Sequence, residues 1–203
     1  MLKIGDKKLI KAWAFYDWAN SVYSLVISTA VFPLYYSAVT DGKTVSFLGM
    51  EWDHPDALYS YALSFSFLVV AFMSPILSGI ADYTGSKKKF MKFFCALGSV
   101  SVMSLYFFDG IDTVWIGIVF TIFASIGFWA SIVFYNAYLP EVARPDQQDR
   151  ASAKGFIYGY IGSVILLIIN LIMIQMPDTF GITSGMASRI SFVMVGLWWI
   201  GFA

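Results

Sequence analysis

The chain has 203 residues, of which 59% are hydrophobic and only 13% charged, with a formal net charge of zero. Soluble domains carry about 25% charged residues, so this composition excludes an ordinary water-soluble core and asks for hydrocarbon as the solvent. Zero net charge carries no message by itself, no nucleic-acid partner is expected, and the single cysteine, Cys95, excludes an intrachain disulfide and a cysteine metal site.

Residues 1–11 are short, polar and basic, with Lys3, Lys7, Lys8 and Lys11. The apolar run that follows is too long for the core of a cleavable signal peptide. A first span is expected over 12–39, with Trp13 and Trp18 at one membrane interface and Tyr35 and Tyr36 at the other. Asp17, Asn20, Ser21, Ser24 and Ser28 recur at helical spacing. Such a polar stripe in a membrane helix should face protein or a water-filled cavity, not lipid.

Residues 40–56 are polar. Glu51, Asp53, His54 and Asp56 lack any fixed ligand spacing, so a solvated loop is expected there, not a metal site. The second span, 57–81, places Ser60, Ser64, Ala71, Ser74 and Ser78 on one side, a pattern that lets helix backbones approach. Pro75 should disturb its last turns. Asp82 stands where that helix leaves the bilayer, Gly85 permits a tight reversal, and Lys87, Lys88 and Lys89 follow.

The third span, 90–108, is mostly aromatic and aliphatic and is expected to face lipid. The fourth, 114–139, carries Gly117, Thr121 and Ser125 and ends in Asn136 and Pro140. Glu141 is expected to pair with a nearby base, Arg144 or Arg150. The fifth, 153–176, has a ridge of Gly155, Gly159 and Ser163, with Asn170 deeper. A sixth, 189–203, has about 14 residues where spanning needs roughly 20. The chain therefore reads as the front portion of a longer protein, severed within helix 6.

With the N-terminus in the cytoplasm, the inner segments hold Lys3, Lys7, Lys8, Lys11, Lys87, Lys88, Lys89, Lys92, Arg144, Arg150 and Lys154. The outer segments hold only Lys43 and Arg189. Every alternate connection agrees with the positive-inside rule. Helices 1 to 3 and 4 to 6 read as two three-helix units of opposed topology, as in transporters built from inverted repeats.

Ile80-Ala81-Asp82-x-x-Gly85-x-Lys87 resembles the loop between helices 2 and 3 of major facilitator transporters. Ser78, Tyr83 and Ser86 stand where that pattern has a glycine and two basic residues. Three more stretches narrow the likeness: Phe15-Tyr16-Asp17-Trp18-Ala19-Asn20-Ser21, Tyr135-Asn136-Ala137-Tyr138-Leu139-Pro140-Glu141, and Lys154-Gly155-Phe156-x-x-Gly159-Tyr160-x-Gly162. Together they resemble the Atg22-like branch of the major facilitator superfamily, over nearly the whole chain.

The resemblance implies an all-α integral membrane fold of twelve helices, of which this chain is the N-terminal six-helix bundle. Its partners would be the lipid bilayer, a small-molecule substrate and the missing C-terminal half. The implied location is a bacterial plasma (inner) membrane, or a vacuole if the source is eukaryotic. The eukaryotic namesakes look like vacuolar amino-acid effluxers. Ser78, Asp82, Gly85, Lys87 and Lys88 would form a conformational switch. Asp17, Asn20, Ser24, Asn136 and Asn170 are the cavity or coupling candidates, and Glu141, Arg144 and Arg150 the charge-pairing group.

A secondary transporter working by alternating access is the leading expectation. A non-transporting structural or signalling membrane protein is the alternative. No cofactor or metal is expected. An intramembrane enzyme is disfavoured, because the lone His54 lies in an outer loop and no nucleophile–base pair stands at membrane depth.

Overall fold

A computed structural model describes residues 3–203, apart from the side chain of Thr84. Met1 and Leu2, which open the expected basic segment, lie outside the described residues. Among the described residues, six helices are long and apolar enough to cross a membrane. They are α1 (Lys7–Thr40), α2 (Pro55–Thr84), α3 (Lys87–Ser104), α4 (Val114–Ala137), α5 (Gln148–Gln175) and α6 (Ser184–Phe202). A small antiparallel hairpin, β1 (Val45–Phe47) and β2 (Met50–Trp52), lies between α1 and α2.

Several helices begin before the apolar run that announces them: at Lys7 instead of 12, Gln148 instead of 153 and Ser184 instead of 189. Hydropathy locates the part that fills hydrocarbon, whereas helical hydrogen bonding continues outward until the orphan N–H groups find a cap. Asp6 Oδ1 accepts the Lys8 N–H at 2.7 Å, and Thr183 Oγ1 accepts the Met186 N–H at 3.1 Å. Arg189 therefore lies inside α6, where its Nη1 is 3.6 Å from Asp109 Oδ2.

The 34 residues of α1 make a helix about 50 Å long, and its middle is not α-helical. Tyr23–Val31 is wound with five-residue turns: the Phe32 N–H bonds the Ile27 carbonyl, and Thr29 Oγ1 donates to the Ser24 carbonyl at 2.8 Å. Pro33 follows at once. It has no N–H to donate, and its ring would clash with the carbonyl four residues back. Widening the turn relieves that clash, and such π-helical stretches occur frequently at functional sites.

The contact pattern has an internal symmetry. α1 packs on α5 and α6, α4 packs on α2 and α3, and α3 meets α6. Exchanging α1, α2 and α3 with α4, α5 and α6 returns the same set: α1–α5 becomes α4–α2, and α3–α4 becomes α6–α1. Two three-helix units of inverted topology produce this mapping.

Two expectations about faces are corrected. Helix α3 does not simply face lipid: Phe94, Cys95, Gly98, Ser99 and Val102 are buried. Gly98 is the cause, because α4 brings Gly127 against its backbone and α6 lays Trp199 over it. The small-residue side of α2 is only partly covered within this chain, with Ser60, Ser64 and Ala71 exposed and Ser74 and Ser78 half-buried. Its packed side is Leu58, Ala62, Ser66, Val70 and Ala81, and Ser66 Oγ meets Ser125 Oγ of α4 at 2.7 Å.

Trp13, Tyr35 and Tyr36 are buried within protein instead of lying at the lipid interface. Each donates to a backbone carbonyl of another segment. Trp13 Nε1 donates to the Tyr135 carbonyl at 2.9 Å, Tyr35 OH to Phe108 at 2.8 Å, and Tyr36 OH to Pro55 at 3.1 Å. These bonds pair ring N–H and O–H groups that burial would otherwise leave unsatisfied.

Candidate functional site

A cleft of about 810 Å³ opens between α1, α4 and α5. The polar stripe of α1 forms one wall, with Asp17, Asn20, Ser21 and Ser24. From α4 come Phe128, Trp129, Ile132, Tyr135 and Asn136. From α5 come Ser152, Phe156, Gly159, Tyr160 and Ser163. Helical spacing collects the α1 residues on one face, and the glycines of α5 let that face be reached. A Cβ at Gly155 would meet Asp17 and the Tyr135 hydroxyl, and one at Gly159 would meet Ser21.

Asp17 is half-buried, and its Oδ2 accepts the Tyr135 hydroxyl at 2.9 Å. Tyr135 is fixed in turn: the Trp13 ring stacks on it with centroids 4.2 Å apart and planes 8° from parallel. Asp17 has no ion-pair partner among the described residues and is the single charged side chain lining the cleft. Asn20 is 1% exposed; its Oδ1 receives a long 3.5 Å contact from Ser131 Oγ, and its Nδ2 has no partner. Ser163 Oγ is likewise buried and unpartnered.

Four of the five cavity candidates thus come together: Asp17, Asn20, Ser24 and Asn136 all line the cleft. Asn170 does not. It is fully buried further along α5, with neither Oδ1 nor Nδ2 hydrogen-bonded. Trp13, Tyr135, Ser131 and Ser163 join the site although the sequence does not single them out for it. One signal for Tyr135 exists: an acid within a span requires a donor from another helix, and Tyr135 opens the motif that ends α4.

The switch candidates meet at the basic end of the bundle. Gly85 ends α2 in the left-handed conformation (φ 64°), with its N–H bonded to Ala81. Lys87 opens α3, and its Nζ lies 2.8 Å from both Asp82 Oδ1 and Glu141 Oε1. Glu141 is therefore paired with Lys87, not with Arg144 or Arg150. Pro140 is the cause, since it breaks α4 and starts a short helix, Leu139–Val142, that carries Glu141 to the head of α3. Arg144 lies 3.8 Å from Asp146 with both side chains exposed, and Arg150 makes no ion pair among the described residues. Ser78 is half-buried on α2 and Lys88 is exposed. The Gly5 N–H bonds the Val142 carbonyl at 3.0 Å, tying the N-terminal segment to the same short helix.

Fold and cleft together define a multi-pass helical membrane protein, an inverted pair of three-helix units with a polar opening along one side. The family model described as vacuole effluxer Atg22-like matches residues 5–203, and the chain belongs to that family, within the major facilitator superfamily. It is 37% identical over 190 residues to YxiO of Bacillus subtilis, described as an uncharacterized MFS-type transporter, covering 93% of this chain and 43% of the relative. An uncharacterized protein of Aquifex aeolicus is 25% identical over 178 residues, which cover 87% of this chain and 42% of that one. Autophagy-related protein 22 of Pyricularia oryzae is 33% identical over 100 residues, 49% of this chain and 14% of that protein. The chain thus spans less than half the length of these relatives. No solved structure matches it. Six spans at this coverage fit the N-terminal half of a twelve-helix major facilitator fold.

Proposed function

We propose that the chain is the N-terminal half of a secondary transporter that moves a small solute by alternating access, with its N-terminus in the cytoplasm. The observation that carries this reading is the one-sided cleft: a membrane helix that places Asp17, Asn20, Ser21 and Ser24 in one wall needs a polar occupant there. A second six-helix unit would supply the facing wall, and rocking of the two would expose the cleft to each side in turn. Amino acids, the cargo that the family resemblance implies, are the first solutes to test. The Asp82–Lys87–Glu141 cluster supports a switch role, because it joins the α2–α3 turn to the end of α4 at the face the cleft must open or close.

Uptake into proteoliposomes by the full-length protein, across amino acids and other small solutes, tests the proposal. Saturable flux of at least one solute is expected. Absence of flux throughout, with the protein shown to be folded, would favour the non-transporting alternative.

A further inference from the structure

We propose that the cleft recognises a protonated amine, with Asp17 as its counter-ion. The inference takes the cleft to be the solute site of the proposed transporter and adds what that site selects. Three observations carry it. The first is charge. Asp17 is the single charged side chain lining the cleft among the described residues, and no lysine or arginine neutralises it. A half-buried carboxylate without a counter-ion is unfavourable, and a bound cation relieves it. An anionic ligand would meet repulsion from Asp17 and find no base among the lining residues of this chain.

The second observation is open hydrogen-bonding capacity. Tyr135 occupies only Oδ2 of Asp17, leaving Oδ1 to accept from an ammonium. Asn20 Nδ2 of α1 and Ser163 Oγ of α5 are buried along the same cleft without partners. An unpartnered buried polar group loses stability unless a ligand or water completes it. Asn20 lies one helical turn from Asp17, so its N–H₂ can meet an oxygen a few ångströms from the amine. The third is the wall material. Trp13 and Tyr135 stack beside Asp17, and Trp129 lines the far side. Aromatic faces attract ammonium groups and do nothing for carboxylates.

Four probes with a common five-carbon skeleton separate charge from shape: n-pentylamine, norvaline, pentanoate and 1-pentanol. Equilibrium binding to the purified full-length protein is expected to rank pentylamine and norvaline above pentanol, and pentanol above pentanoate. Pentanoate binding as tightly as pentylamine would overturn the proposal. Asp17→Asn is expected to weaken pentylamine binding about tenfold or more, and unchanged affinity would overturn it equally. The probe ranking on the unmodified protein stands as a test even where the variant fails to fold. A flux assay with the same probes keeps the two readings apart. Pentylamine bound while no solute of any class is carried would sink transport and leave amine recognition standing. Pentanoate carried in preference to pentylamine would do the reverse.

Discussion

Asp17 sits where three helices nearly touch, and its neighbours have almost no room to grow. Gly159 faces Ser21 so closely that any side chain must displace it. Gly159→Leu is expected to destabilise the full-length protein by about 1–3 kcal/mol, the usual penalty for overpacking, read as a lowered unfolding midpoint in nanodiscs. Tyr135→Phe keeps the stack with Trp13 but removes the donor to Asp17. Its expected effect is a loss of about 1 kcal/mol and a changed affinity for the solute. Asn170 offers the opposite outcome. Its buried amide has no partner, so Asn170→Leu should be neutral or should raise stability by about 1 kcal/mol or more. A strong loss of stability would mean that the amide is hydrogen-bonded after all. The stripe on α1 and the glycine ridge on α5 are legible in the sequence, because Asp, Asn, Ser and Gly are conspicuous among aliphatic residues. Tyr135 is legible only through the need of Asp17 for a donor, because tyrosine by itself is equally at home in packing, at an interface or in a cavity.

At the scale of elements, the number of spans and the Gly85 turn can be read directly, since length and hydropathy fix the first and a left-handed cap the second. The faces cannot. A membrane helix is apolar all round, so the spacing of its apolar residues does not say which side meets protein. That is why the sequence points α3 outward, against the structure. The π-helical middle of α1 has a cause in the sequence, Pro33, but a proline alone does not say whether a helix will kink or widen. The charge cluster between α2, α3 and the end of α4 depends on contacts distant in the chain. Lys87→Ala should cost about 1 kcal/mol or less in stability, because Asp82 and Glu141 are 63% and 50% exposed and their pairing with Lys87 is screened by solvent. The proposed switch role predicts a larger effect on the rate of transport than on the unfolding midpoint. Equal, small effects on both would make the cluster a surface ion pair.

The whole molecule is a symmetric bundle with an asymmetric interior. α1 and α4 occupy equivalent places in the two repeats, yet Asp17 has no acidic counterpart among the cleft residues of α4. The repeat supplies a rigid frame, and the single charge gives that frame a direction. In the proposed orientation, eleven of the thirteen lysines and arginines, those named in the sequence analysis as inner, lie on the cytoplasmic side with Lys87, as the positive-inside rule asks. The proposed transport role requires the cleft to hold water and open to an aqueous face. Cys95, the single cysteine of these 203 residues, is buried, and the unsubstituted full-length protein serves as the labelling background. Ser24→Cys in the full-length protein, treated with a membrane-impermeant thiol reagent, tests this most directly. A water-filled solute cleft predicts that Cys at position 24 reacts and that a bound solute slows the reaction. Labelling only by lipid-soluble reagents, unaffected by any solute, would contradict it.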